Sequence, residues 1–122
     1  MIYQTELVIP ANTTHENSIE ELVVLTRGKI NQIEIMFPPG SCGLVKVAIF
    51  HKSTRLWPSS PDSWFYADDY VFKWQEDFKV DREPTELRVV GYNEDVSFEH
   101  TVIAYFTMLS DTNTMNEYMS GS

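Results

Sequence analysis

The stretch Ile30 to His51, INQIEIMFPPGSCGLVKVAIFH, alternates with a period of two on both sides of a break rich in proline and glycine. Ile33, Ile35 and Phe37 fall on one face and Gln32 and Glu34 on the other, the pattern of a half-buried strand. After the break, Val45, Val47 and Ile49 share a face opposite Leu44, Lys46, Ala48 and Phe50. Pro38 and Pro39 cannot join a central ladder, and Gly40 and Gly43 tolerate positive φ, so residues 38–43 predict a turn. The expectation is two strands joined as a hairpin.

The same period recurs outward from this pair. Tyr3, Thr5, Leu7 and Ile9 share a face before Pro10 ends the element, and ANTTHENS follows as a polar loop. Glu21 to Thr26 is ambiguous: Ser18 and Glu21 have capping-box spacing, whereas Val23 and Val24 favour a strand, and Gly28 comes too soon for a stable helix. A short strand, following at most one helical turn, is the favoured reading. Glu86 to Tyr92 alternates again, and Ser97 to Leu109 (SFEHTVIAYFTML) sets Phe98, His100, Val102, Ala104, Phe106 and Met108 against Glu99, Thr101, Ile103, Tyr105, Thr107 and Leu109. Both of those sets become apolar toward the C-terminal end, which predicts a strand covered on both faces, one of them by another chain.

Seven to eight short strands separated by Pro, Gly, Asn and Asp clusters predict an all-β fold, an antiparallel β-sandwich of jelly-roll type. One domain is expected over residues 1–109. Residues 110–122, with Met115, Tyr118 and Met119 as apolar contacts, read either as a frayed tail or as an arm that orders on a partner.

The chain carries 18 acidic and 9 basic side chains, a formal net charge of −9, which repels phosphate backbones and argues against a nucleic-acid partner. Its apolar runs are far shorter than the roughly 20 residues of a membrane helix, and MIYQTELVIP lacks the basic start and apolar core of a secretory signal. The lone Cys42 excludes an internal disulfide or a thiolate zinc site. Asp68-Asp69 and Asn93-Glu94-Asp95 have oxygens for calcium but not the spacing of a calcium loop.

All three tryptophans lie in LWPSSPDSWFYADDYVFKW, residues 56 to 74. Tyr70, Phe72 and Trp74 alternate and predict the inner face of a strand, while Arg55 to Pro58 resembles a short strand closed by proline. Trp64, Phe65 and Tyr66 fall in the loop between them. Burying one such ring is worth about 2 to 3 kcal/mol, so these three need a cover. They either cap the core, meet another chain, or stack on sugar rings with Asp62, Asp68 and Asp69 as hydrogen-bonding partners.

His15, His51 and His100 have no metal spacing, and no nucleophile elbow, phosphate loop or dinucleotide fingerprint is present. A dyad of Cys42 with His51 or His100 would need the fold to bring them together. The expectation is a protein that is not an enzyme and takes no cofactor or metal.

The order GKINQIEIMFPPGSCGLVKVAIFH, RLWP, an aspartate-containing aromatic turn, and GYNEDVSFEHTVIAYF with its H-T-V-I strand resembles small β-sandwich decoration, or cement, proteins of tailed viruses of prokaryotes. The resemblance spans residues 2 to 109. It implies a virion protein, assembled in host cytoplasm, that forms a homo-oligomer, commonly a trimer, on the capsid exterior and clamps the major capsid protein. The expected contact residues are Trp57, Trp64, Phe65, Tyr66, Tyr105 and Tyr118. The alternative is a carbohydrate-binding β-sandwich module of adhesin type.

Overall fold

A computed structural model describes residues 1–82 and 84–110; Glu83 and residues 111–122, including Met115, Tyr118 and Met119, lie outside the described residues. Eight strands run in the order β1 (Ile2–Ile9), β2 (Ile19–Leu25), β3 (Gly28–Phe37), β4 (Val45–His51), β5 (Thr54–Trp57), β6 (Tyr70–Val80), β7 (Thr85–Asn93) and β8 (His100–Ser110). A single 3-10 turn, His15–Asn17, precedes β2, which is a strand throughout.

The strands form two four-stranded sheets, ordered β1-β8-β3-β6 and β2-β7-β4-β5. All pairings are antiparallel, and the nested pairs β1 with β8, β2 with β7, β3 with β6 and β4 with β5 make the wrapped hairpin of a jelly roll. The two inner faces meet in one core. Leu7, Ile9, Ile33, Ile35, Phe37, Phe106 and Met108 from the first sheet pack with Leu25, Val45, Val47, Ile49 and Leu87 from the second, and all are essentially inaccessible.

The alternation of residues 30–51 is correct, but the expected hairpin is not formed. β3 pairs with β6 and β8, and β4 with β5 and β7, so residues 38–44 cross from one sheet to the other. The local hairpin is β4-β5, turned at Lys52, whose φ is 56°. Asn31 is an extra residue opposite β8, a bulge that restores Ile33 and Ile35 to the inner face.

Strand β6 is longer than the five residues expected. Lys73, Gln75, Asp77 and Lys79 face outward while Phe72, Trp74, Glu76 and Phe78 face inward along an edge, with the Trp74 indole Nε1 donating to Glu76 Oε1 at 2.9 Å. Tyr70 begins the strand but stays exposed, its ring edge-on to Phe72. Phe98, expected on the last strand, precedes it and is 68% exposed.

Gly91 of β7 lies directly against the inward side chains of β1. A Cβ there would lie 2.8 Å from both Leu7 Cδ2 and Ile9 Cδ1, so only glycine lets β1 settle on β7.

Candidate functional site

The topology sends the segments 10–18, 38–44, 58–69 and 94–99 to one end of the sandwich, and their hydrogen bonds stitch them together. Asn12 N donates to Asp95 O at 2.8 Å, Thr13 and Asn93 exchange backbone bonds, Glu94 N donates to Leu44 O at 2.9 Å, and Asp69 N donates to Pro38 O at 3.2 Å. The acidic residues considered as calcium ligands serve this stitching. Asp68 Oδ1 accepts from Gly40 N at 2.8 Å and Cys42 N at 3.0 Å. Asn93 is fully buried, its amide donating to the carbonyls of Ile9, Pro10 and Phe98 while its Oδ1 accepts from Asp95 N.

Asp95 continues the bracket. Its Oδ1 accepts from Ser97 N and Phe98 N, and its Oδ2 lies 2.8 Å from His100 Nε2. The hydrogen bond from His100, followed by those from the Ser97 and Phe98 backbone, holds the Asp95 carboxyl below the usual aspartate range. Among the described residues no group of three or more His, Cys, Asp or Glu could hold a metal.

Most of the clustered aromatics fold back onto the molecule. Trp57 sits at the sheet edge with its ring against Trp74 and Phe78, and the Trp57-Pro58 bond is cis. Phe65 pairs with Val47 as an isolated bridge and stacks on Trp74 at 5.3 Å. Trp64 covers the outer face of the second sheet, edge-on to His15 and Tyr92, with the Arg55 guanidinium 5.1 Å from its ring centre. Burial in this cluster raises the Tyr92 phenol above its ordinary pKa. Arg55 is itself anchored by donating to Ser63 O. Tyr66 is the exception, 57% exposed, with Lys46 over its ring.

A different apolar surface faces outward. On the outer face of the first sheet the register aligns Glu6, Ile103, Met36 and Val71 in one row across all four strands, and Gln4, Tyr105, Glu34 and Lys73 in the next. Met36 is 37% and Val71 40% exposed, and Ile2, Val8 and Leu109 add to the same face. Tyr105, half-buried, is the expected contact residue that lies here; Trp57, Trp64 and Phe65 are on other surfaces, Tyr66 is at the loop end, and Tyr118 is outside the described residues. Met36 and Val71 were not singled out from the sequence, since each is an isolated apolar residue on an otherwise polar strand face.

The candidate catalytic groups are dispersed. Cys42 is exposed in the β3-β4 segment, whereas His51 ends β4 at the far end of the sandwich, so the two cannot form a dyad. His100 is engaged by Asp95.

Among the described residues, no helix is long and apolar enough to cross a membrane. No protein-family model matches the chain, and no curated protein matches it. Among solved structures, the crystal structure of FlhE is similar over 87% of this chain and 94% of that chain, with a TM-score of 0.46 and 8% sequence identity.

Proposed function

We propose that this chain is a structural interaction protein without enzymatic activity, a capsid decoration or cement protein that docks on a shell with the outer face of its β1-β8-β3-β6 sheet. The observation that carries the reading is the row Ile103, Met36 and Val71, an apolar stripe flanked by Glu6, Glu34 and Lys73 on a sheet face that none of the described elements covers. An apolar centre with a charged rim is the anatomy of a protein contact. The half-buried tryptophans favour this over sugar binding, because Arg55 stands over Trp64 and the rings of Trp57 and Phe65 are packed against Trp74. Repeating such a contact over a lattice multiplies modest affinities and raises shell stability by mass action.

The test is co-sedimentation of the purified protein with its cognate capsid shells, together with the melting temperature of the shells. The wild type is expected to bind and raise that temperature, and Met36→Glu combined with Ile103→Lys to do neither while keeping its own cooperative melt. A folded double variant that binds as well as the wild type removes the sheet face from the contact. Failure of the wild type to bind removes the capsid.

A further inference from the structure

The jelly-roll wrap sorts charge as well as strands. The four segments at one end, residues 10–18, 38–44, 58–69 and 94–99, contain seven carboxylates and no lysine or arginine. At the opposite end lies a cleft of about 570 Å³ that curls around the β4-β5 turn and the segment after β6. Lys52, Lys79, Arg82 and Arg88 line it against Asp81 and Glu86, and Leu22 and Phe78 supply apolar wall. A chain with twice as many acids as bases thus carries four of its nine cations in one cleft.

The cations differ in commitment. Arg88 is held by Glu20 at 3.0 Å and by donation to Lys52 O, and Lys79 lies 3.6 Å from Asp81. Lys52 and Arg82 are exposed, and neither side chain has an acidic partner among the described residues. The acidic end presents a matching projection. In the β7-β8 segment Val96 is 73% and Phe98 68% exposed, with Glu99 beside them, and the Asn93 and Asp95 brackets hold the segment in one shape. Strand β7 connects the two features directly: Thr85 lines the cleft and Asn93 begins the projection, about 27 Å away at the rise of an antiparallel strand.

We infer that the cleft receives the Val96-Phe98-Glu99 projection of a second copy of this chain, head to tail. Phe98 and Val96 would meet Leu22 and Phe78, and Glu99 would meet Lys52 and Arg82. Because the two patches differ and lie at opposite ends, the contact is heterologous, and it closes into a ring or propagates as a filament according to the rotation between copies. It uses neither Met36 nor Ile103, so it stands or falls separately from the sheet-face reading.

The test is solution mass by light scattering and sedimentation at low and high salt. The wild type is expected to associate at low salt and to dissociate as salt screens the charges. Lys52→Glu with Arg82→Glu blocks the cleft, and Phe98→Ala with Glu99→Gln blocks the projection. All four are exposed side chains, so folding is checked by thermal melt, and each pair should weaken association by about tenfold or more. Mixing the two blocked variants leaves one intact interface per pair, and the expected product is a complex of two chains that does not grow. A wild type that stays monomeric at low salt, blocked variants that associate like the wild type, or a mixture that remains monomeric overturns the proposal. Loss of association in the Met36→Glu, Ile103→Lys variant, with the cleft intact, also overturns it and assigns self-contact to the sheet face.

Discussion

His100 Nε2 lies 2.8 Å from Asp95 Oδ2, joining the first residue of β8 to the segment that leads into it, with both side chains largely shielded from solvent. The pair fixes where the last strand begins. Because the folded Asp95 carboxyl titrates below its usual range, the unfolded chain takes up the proton first as pH falls. Its contribution to stability is complete above the ordinary aspartate pKa of about 3.9 and is lost as pH drops through the lower folded value. Asp95→Asn should therefore flatten the acid limb of a stability-against-pH curve from urea melts. An unchanged acid limb would show that the carboxylate is no more stabilised than an unfolded one.

Asn93 satisfies three carbonyls and one amide in a site without solvent. Asn93→Leu leaves those groups unpaired and should cost about 3 kcal/mol in chemical denaturation. Asn93→Asp should cost at least as much near neutral pH, since it sets a charge against carbonyl oxygens. A loss below about 1 kcal/mol in both would mean that water replaces the bracket.

Gly91→Ala places a methyl group 2.8 Å from Leu7 Cδ2 and Ile9 Cδ1, and 2.9 Å from Lys46 O. The backbone oxygen cannot yield as a side chain does, so a loss of about 1 to 3 kcal/mol is expected. Gly40 has open space around it and a φ of 94°, so Gly40→Ala meets strain without a clash. Thermal melts of the two variants should rank Gly91→Ala as the more damaging.

Trp64 and Tyr66 are neighbours with different duties. Trp64→Ala removes the ring that His15, Tyr92 and Arg55 surround and should destabilise the chain by about 2 to 3 kcal/mol. Tyr66→Ala removes a ring that is mostly in solvent and should cost less than about 1 kcal/mol. Denaturant midpoints decide between them, and equal losses would place Tyr66 in the core.

Asp68→Ala frees the amides of Gly40 and Cys42 and loosens the crossing between β3 and β4. Global stability should fall by about 1 kcal/mol, while amide exchange at Gly40 and Cys42 accelerates far more than in the strands. Unchanged exchange there would mean that the turn holds its shape without the carboxylate.

The sequence alone determined the strands and their inward faces. Ile33, Ile35, Phe37, Val45, Val47 and Ile49 are buried as their alternation requires, because a period of two is imposed by the pleat of each strand separately. It also placed the turns at Pro10, Pro38 and Gly40, where backbone chemistry is local. Partners were not legible. Nothing within residues 30–51 distinguishes a hairpin from a crossing between sheets, because that choice depends on β6 and β8 competing for the edges of β3 from far along the chain. The strand extension through Gln75, Asp77 and Lys79 was equally hidden, since an edge strand with a solvated face resembles a loop in composition. Tertiary structure alone decided that Trp64 folds onto the outer face of the second sheet against His15 and Arg55, and that Ile103, Met36 and Val71, from three separate strands, form one row. It likewise gathered carboxylates at one end and cations in the opposite cleft. Such patches are sums over distant segments, and their composition becomes visible only when antiparallel pairing sends alternate connections to the same end.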